Sequence, residues 1–589
     1  MALIYGTSGN DVLDGTIGDD EIYGFEGNDT IRGGSGKDEI YGGTGNDTYF
    51  INDAFDFIFD EDGIDTAYVN VNFLKIPSSI EKVIYTDGAQ ALPYWIDALL
   101  DDNAQGSNFQ LLLGATKTWN YSFPSTQPSY DTDLDNAKGW TAFTDTQIAR
   151  TKQALELITN IFDFKFVESN NSSALNTLTF ANNIQSDSAA YAKIPSKYFF
   201  GSDIFMDKSG GINNLSDGTY GALTLIHEIG HALGLKHPFT GKDNVTPYLP
   251  TAENKTLWTL MSYESSPDQY SFNFSPLDIA ALQFIYGPST KARTGNDNYA
   301  ISQNSYNFIW DGVGNDTLDA SALTQGATLY MTPGYWSFVG SARASTITSA
   351  GQATVNFGTV LENLIGSAFA DNLHGNDVNN VINGGAGNDQ ITGGGGGDQI
   401  TGGGGNDNID GGIGIDIAIF SGASKGYKIS TEATSVLVTG DAITDGIDTL
   451  LNIERIRFSD KSIAIDLNGN AGISAKVIGA VLGKTQVQNS SYVGLGLSYL
   501  DKGMSYSDLS ALALTAVGAT TNDAVVSTLW KNVIGTDATA EIKAPYIKML
   551  TDGMKVGDLV VLAADTSFNT TNINLVGLAQ TGIEYLPVN

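Results

Sequence analysis

Three of the four histidines fall within eleven residues, His227-Glu228-Ile229-Gly230-His231-Ala232-Leu233-Gly234-Leu235-Lys236-His237. The text from 224 to 233 predicts a helix, so His227 and His231 stand four apart on one face and can share a metal ion. Glu228 is one step round, near the metal but free to handle protons. Gly234 is where the helix must end, because a residue that accepts φ > 0 lets the chain double back and return His237 to the same ion. Three neutral imidazoles and one open position describe a catalytic zinc site rather than a closed structural one. The remaining histidine, His374, is read as a surface residue in a repeat turn.

A second kind of metal chemistry is written in a repeat. Gly9-Asn10-Asp11, Gly18-Asp19-Asp20, Gly27-Asn28-Asp29, Gly36-Lys37-Asp38 and Gly45-Asn46-Asp47 follow at nine-residue steps. Two positions after each Asp comes Leu13, Ile22, Ile31, Ile40 or Tyr49. A fixed nine-residue period with an apolar residue in phase predicts a parallel β-roll, each repeat giving a turn and a short strand. A flexible linker has no reason to keep that phase. The glycines serve the φ > 0 turns, and the carboxylates of Asp11, Asp20, Asp29, Asp38 and Asp47 with the turn carbonyls are hard oxygen ligands that suit Ca²⁺. The pattern returns with Asp389, Asp398, Asp407 and Asp416, and with Ile391, Ile400 and Ile409 in the inward slot. Gly295-Asn296-Asp297 and Gly314-Asn315-Asp316 read as isolated turns of the same kind, and Asn380 marks a degenerate repeat.

These elements divide the chain. The expected fold is α+β and multidomain: a calcium-binding β-roll over 1–95, a catalytic domain over 96–290, a second roll over 291–470 and an all-α domain over 471–589. Helical periodicity runs over 151–161, with strands over 162–168 and 176–180. In the last segment Leu500-Asp501-Lys502-Gly503-Met504 with Asp508-Leu509 recurs 50 residues on as Leu550-Thr551-Asp552-Gly553-Met554 with Asp558-Leu559, a duplicated helical unit.

The histidine segment is similar to the metzincin zinc-protease signature, and Pro238 after the third histidine resembles the serralysin branch. Trp258-Thr259-Leu260-Met261-Ser262-Tyr263 resembles the serralysin Met-turn; this implies that Met261 is the apolar floor under the zinc. Tyr263 would ligate the resting metal and swing to stabilise the oxyanion. Pro276 to Gln283 with Tyr286-Gly287 resembles the closing helix, and Asp311 through Asp319 and 445–458 resemble the entrance and close of that family's C-terminal roll, which adds Asp311 and Asp316 to the calcium residues. Ala190-Tyr191-Ala192-Lys193-Ile194-Pro195 resembles the edge strand that pairs with substrate, implying contacts at Tyr191, Ala192 and Lys193. The implied activity is a secreted, calcium-dependent zinc endopeptidase with Glu228 as general base. Two departures stand out: a repeat block precedes the protease, and Phe239 replaces the usual Gly after His-Pro.

Composition limits the partners. With 66 acidic against 30 basic residues, the net charge of −36 disfavours nucleic acid and anionic membranes and favours multivalent cations. The absence of Cys removes disulfide scaffolds and thiol catalysis. No apolar run approaches the roughly 18 residues of a membrane span, and Met1 to Gly6 lacks a basic region before an apolar stretch, so neither a span nor a cleaved leader is expected. Export to the extracellular space through a bacterial type I secretion apparatus, using an uncleaved C-terminal address, is the expectation that repeats of this kind carry by resemblance. The rival reading is a non-enzymatic calcium-binding surface or matrix protein whose protease domain is vestigial.

Overall fold

Nine-residue repeats fold in pairs. The computed structural model describes every residue except 107, 198–200, 209–210, 242–244, 266–269, 271, 433, 441–444 and 589. In the first roll, Leu3–Tyr5, Glu21–Glu26, Glu39–Thr44 and Phe57–Phe59 form one parallel sheet, and Val12–Asp14, Thr30–Arg32, Thr48–Ile51, Thr66–Val69 and Lys82–Tyr85 form the other. Register advances by 18 residues, Ile4 on Ile22 on Ile40 on Ile58, so each turn of the coil gives one strand to each sheet. Ile22, Ile31, Ile40 and Tyr49 are fully buried between the sheets. On the outer face Tyr23, Tyr41 and Phe59 stack with centroids 4.6 and 4.7 Å apart, the cross-strand pairing that fixes register. The stack runs past the last repeat recognised in the sequence, through Asp56 and Asp65, where Ala54-Phe55 replaces Gly-Asn and Ile64 replaces Asn after Gly63.

The roll is packed on its C-terminal neighbour. The Gln105 side chain accepts from the Ile58 N–H and donates to its C=O, as a neighbouring strand would. Lys75, 2% exposed, is held between Asp97 and Asp102, and Leu92, Trp95 and Ile96 sink into the core of the next unit.

That unit holds a sheet ordered Lys165–Glu168, Thr118–Ser122, Thr177–Asn183, Asp203–Asp207 and, antiparallel at its edge, Ala190–Ala192. The strands before the edge are parallel and need crossovers; the helix Asp145–Thr159 supplies one. Thr144 and Gln147 form its capping box, and Ala154, Leu155 and Ile158 are its buried stripe. Trp119, Phe162, Phe180 and Ile204 share one core with the helices Tyr220–Ala232 and Pro276–Tyr286.

The second roll corrects the reading of isolated turns at 295 and 314. Asn298–Ala300 pairs with Thr317–Asp319, which pairs with Asn363–Ile365 and so joins the repeat strand Val381–Ala386. The turns are continuous in space; the residues between 319 and 363 make other strands of the same roll and erase the nine-residue step from the sequence. His374 ends the strand Asn372–His374 rather than sitting in a turn, half-buried, with its ring stacked 4.4 Å from Tyr330.

Helices from Asn470–Leu482 to Leu575–Thr581 make up the C-terminal region. The duplication is visible: Gly503 and Gly553 both take positive φ, Met504 N–H donates to Tyr499 O and Met554 N–H to Met549 O, each at 3.0 Å. The two helices after these turns, Tyr506–Ala516 and Val556–Ala564, pack together. An all-α region is corrected by Ile583–Tyr585, which adds an antiparallel strand to Ser462–Ala464 of the roll; two inward apolar residues in so short a tail carry no readable period. Among the described residues no helix is long and apolar enough to cross a membrane.

Candidate active site and calcium-binding turns

Thr219 caps the helix Tyr220–Ala232, and the chain turns back at Gly234, φ 110°, where a Cβ would lie 2.4 Å from the Phe109 ring. The turn brings the His237 ring to 4.4 Å from His231 and 5.3 Å from His227. Ligand nitrogens of all three lie within 4.8 Å of one another, and each residue is at most 8% exposed. His227 Nδ1 stands 2.6 Å from Leu260 O and His231 Nδ1 2.7 Å from Leu235 O. A carbonyl oxygen only accepts, so both Nδ1 atoms carry the proton and Nε2 is the lone-pair nitrogen of each ring. His231 Nε2 and His237 Nε2 are 3.2 Å apart, close to the roughly 3.3 Å expected of two nitrogens sharing a tetrahedral Zn²⁺. The donor set fits that ion.

Glu228, 4% exposed, keeps an Oε2 with no hydrogen-bond partner among the described residues. Burial pushes its carboxyl up to about 8. It shares with His227 a cleft of about 280 Å³ also lined by Ala190, Thr224, Tyr263 and Tyr270. The Tyr263 ring, more than half exposed, lies 5.0 Å from His237 and 5.9 Å from His227. The Phe239 ring lies 5.3 Å from His237 and 4.9 Å from Tyr263. Met261 is fully buried, its Sδ 2.8 Å from where a Cβ on Gly230 would stand, so the glycine one residue before His231 is what lets this sulfur lie against the helix.

The edge strand divides its labour. The Tyr191 ring stacks on Phe205, its hydroxyl bonds Asn136 and Asn183, and Lys193 faces Asp133 at 3.9 Å. Lys193 N–H donates to Asp203 O and Asp207 N–H to Ala189 O, so by strand alternation the backbone groups of Ala190 and Ala192 point away from the sheet. What the strand offers outward is backbone at 190 and 192, rather than the side chain of Tyr191.

Sequence reading missed Asp278. It is fully buried, accepts Thr259 Oγ1 at 2.6 Å, Leu260 N–H at 2.8 Å and Ser275 N–H at 3.0 Å, and burial pushes its carboxyl up to about 7 against those bonds. It fixes the N–H side of Leu260, the residue whose carbonyl oxygen stands against His227 Nδ1. The Ser275-x-x-Asp278 spacing before an apolar run was the available signal. Asp278→Asn, which puts an amide where three donors converge, is expected to weaken metal affinity at the imidazoles by about 10–100-fold. Competition against a chromophoric chelator measures this, and unchanged affinity would detach Asp278 from the site.

The repeat aspartates follow one rule. Each Oδ1 accepts the N–H of the Asp 18 residues earlier: Asp29 from Asp11 at 2.8 Å, Asp38 from Asp20 at 2.9 Å, Asp47 from Asp29 at 2.8 Å, and likewise Asp389 from Asp371 and Asp407 from Asp389. One ladder in each roll ends on a glutamate, with Asp65 N–H on Glu81 and Asp416 N–H on Glu454, while Asp407 N–H ends its ladder on Asp448. Oδ2 of Asp29, Asp38, Asp47, Asp56, Asp65, Asp311, Asp316, Asp389, Asp398, Asp407 and Asp416 is buried without a hydrogen-bond partner among the described residues. One orphaned hard oxygen per turn fits Ca²⁺. Asp11 and Asp20 differ from expectation: their Oδ2 atoms accept the N–H and hydroxyl of Thr7 and Thr16, so local donors occupy the place of a cation. Ser367 does the same for Asp371, and the Asn380 amide is satisfied by Asn376 and Leu361.

Residues 94–275 match the sequence model of Metallo-peptidase family M12, and residues 5–40, 23–58, 365–400 and 390–418 match the RTX calcium-binding nonapeptide repeat. The chain carries an M12 metallopeptidase domain and RTX repeats. The metallopeptidase domain accounts for the histidine cluster and the repeats for both rolls. Similar proteins include Serralysin of Proteus mirabilis, 30% identical over 44% of this chain and 59% of that protein. Serralysin G of Dickeya chrysanthemi is 31% identical over 47% and 64%, and Metallopeptidase AprA of Pseudomonas marginalis 31% over 43% and 58%. The chain spans about three-fifths of the length of these curated relatives.

Proposed function

We propose that the chain is a secreted, calcium-dependent zinc metalloendopeptidase acting on protein or peptide substrates. The observation that carries this is the convergence of three imidazoles within 4.8 Å, one of which, His227, shares a cleft with a buried Glu228 oxygen that has no hydrogen-bond partner among the described residues. His227, His231 and His237 would hold the zinc, with Tyr263 beside them. Held by those imidazoles, zinc would supply Lewis-acid polarisation of a water molecule and of the scissile carbonyl. Glu228 takes the proton from that water and returns it to the leaving amine. The carbonyls of Leu260 and Leu235 keep His227 and His231 in the tautomer that aims Nε2 at the shared point. The Tyr263 hydroxyl donates to the oxygen on which charge develops. An extended substrate pairs with the outward backbone of Ala190 and Ala192, of which Ala190 lines the cleft beside Glu228, and this pairing sets the scissile bond over Glu228. The serralysin relatives support extracellular action, and the RTX repeats support export through a type I apparatus.

The test is digestion of casein and of a peptide library. Zinc-stripped protein in the presence of calcium is expected to lose cleavage and to regain it with one equivalent of Zn²⁺; undiminished cleavage by fully stripped protein refutes the reading.

A further inference from the structure

The first roll precedes the metallopeptidase domain in sequence and is built into it in space. Beside the Lys75 ion pairs, Asp102 also accepts the N–H and hydroxyl of Ser78. The Phe73 ring meets Tyr335 and Phe357 edge-on at 5.5 and 5.2 Å. The described lining of the cleft beside Glu228 runs from Asp187 to Tyr270 and includes none of residues 1–95. One further contact falls on the strand that offers its backbone outward. The edge strand Ala190–Ala192 continues into pairing at Lys193, whose N–H donates to Asp203 O and whose carbonyl accepts Ser202 N–H, both at 3.0 Å. Between those partners the chain crosses to the roll: Lys197 Nζ stands 2.5 Å from Glu39 Oε1 and 5.3 Å from the centroid of the Phe57 ring.

We propose that the first roll positions substrate, steadying the hairpin that carries Ala190 and Ala192 by seating Lys197 on Glu39 and Phe57. The inference rests on the peptidase reading, in which those two alanines pair with an extended chain. The seat is prepared on the roll side. Glu39 and Phe57 are cross-strand partners on the outer face, Glu39 N–H donates to Asp20 O at 2.8 Å, and Glu39 Oε2 accepts the Tyr41 hydroxyl at 3.1 Å. Phe57 is buried, and the Lys197 and Glu39 side chains are 18% and 22% exposed, so the ion pair and the cation over the ring are partly shielded from water. Lys37 lies close by, its ammonium pushed below the usual lysine range by burial and then by the charge of Lys197, against the pull of Glu39. Glu39 thus offsets two like charges, and without it the roll would repel the hairpin. A strand that receives substrate through its backbone must already be extended, and ordering it beforehand removes part of the entropy cost of binding. Lys197 is therefore a positioning residue: losing its seat weakens ground state and transition state alike, which raises KM and spares kcat.

Steady-state cleavage of an extended fluorogenic peptide by the full chain, loaded with zinc and calcium, tests this. Glu39→Lys and Lys197→Met are each expected to raise KM about three- to fivefold, the scale of one partly exposed ion pair, with kcat, zinc content and far-UV circular dichroism unchanged. Glu39→Lys combined with Lys197→Glu is expected to bring KM back to the wild-type value, which a contact that merely packs would not do. If Glu39→Lys loses its circular dichroism, Lys197→Met, which lies outside the roll, decides alone. Unchanged KM in the single variants, or a double variant no better than Glu39→Lys, overturns the proposal while the cleavage itself upholds the peptidase reading. No cleavage by the wild-type chain removes that reading and this inference with it.

Discussion

Glu228→Gln is expected to lower kcat for peptide hydrolysis by about 10²–10⁴-fold, the usual share of a positioned general base, while the protein still binds its metal. The substitution keeps the volume of a residue that is 4% exposed and removes only the proton-accepting oxygen. Because Oε2 has no hydrogen-bond partner among the described residues, the exchange breaks no hydrogen bond at that atom, and the effect should fall on kcat rather than on folding. The carboxyl that burial pushes up to about 8 is set lower by a divalent ion beside it, which suits a base working near neutrality. Metal content and turnover of a fluorogenic peptide should be read on the same sample. Near-wild-type turnover with zinc bound would remove Glu228 from the reaction.

Removing calcium at pH 8 is expected to unfold both rolls in the full chain. Burial raises Asp38 and Asp47 to about 6, Asp389 and Asp398 to about 7 and Asp56, helped by the charge of Asp38, to about 8. A carboxyl whose folded pKa is raised binds its proton more tightly in the folded state. Its contribution to stability is therefore complete below the unfolded value near 4 and is lost as pH rises through about 6–8. Without calcium the rolls should accordingly gain protection on acidification from pH 8 towards 5. With calcium the sense reverses, since the ion displaces those protons and binds less tightly in acid. Hydrogen exchange on peptides from 21–59 and 381–413 gives the readout. Full protection in chelator at pH 8 would show that the orphaned oxygens need no cation.

What could be read from the sequence was local or periodic. The inward slot of Ile22, Ile31 and Ile40 is legible because burial between two sheets demands an apolar residue at every step, and Gly27, Gly36 and Gly45 all have φ near 130°. The three histidines are legible because one helix and one turn position them. Contacts distant in sequence were not. Asp278 reaches Leu260 over 18 residues, and the outer face of Tyr191 is claimed by Asn136, 55 residues away. Thr7 and Thr16 look like ordinary turn residues, yet four positions on they take the carboxylate oxygen that their repeat would otherwise leave for a cation.

The aspartate ladder has a direction. Within the repeats a turn offers its N–H to a carboxylate 18 residues nearer the C-terminus, and Glu81, Asp448 and Glu454 take last rungs. A polypeptide that emerges N-terminus first, from a ribosome or a narrow pore, thus cannot close any coil until the following one has appeared. Assembly lags emergence by a full coil, and the finished spring locks from its trailing end.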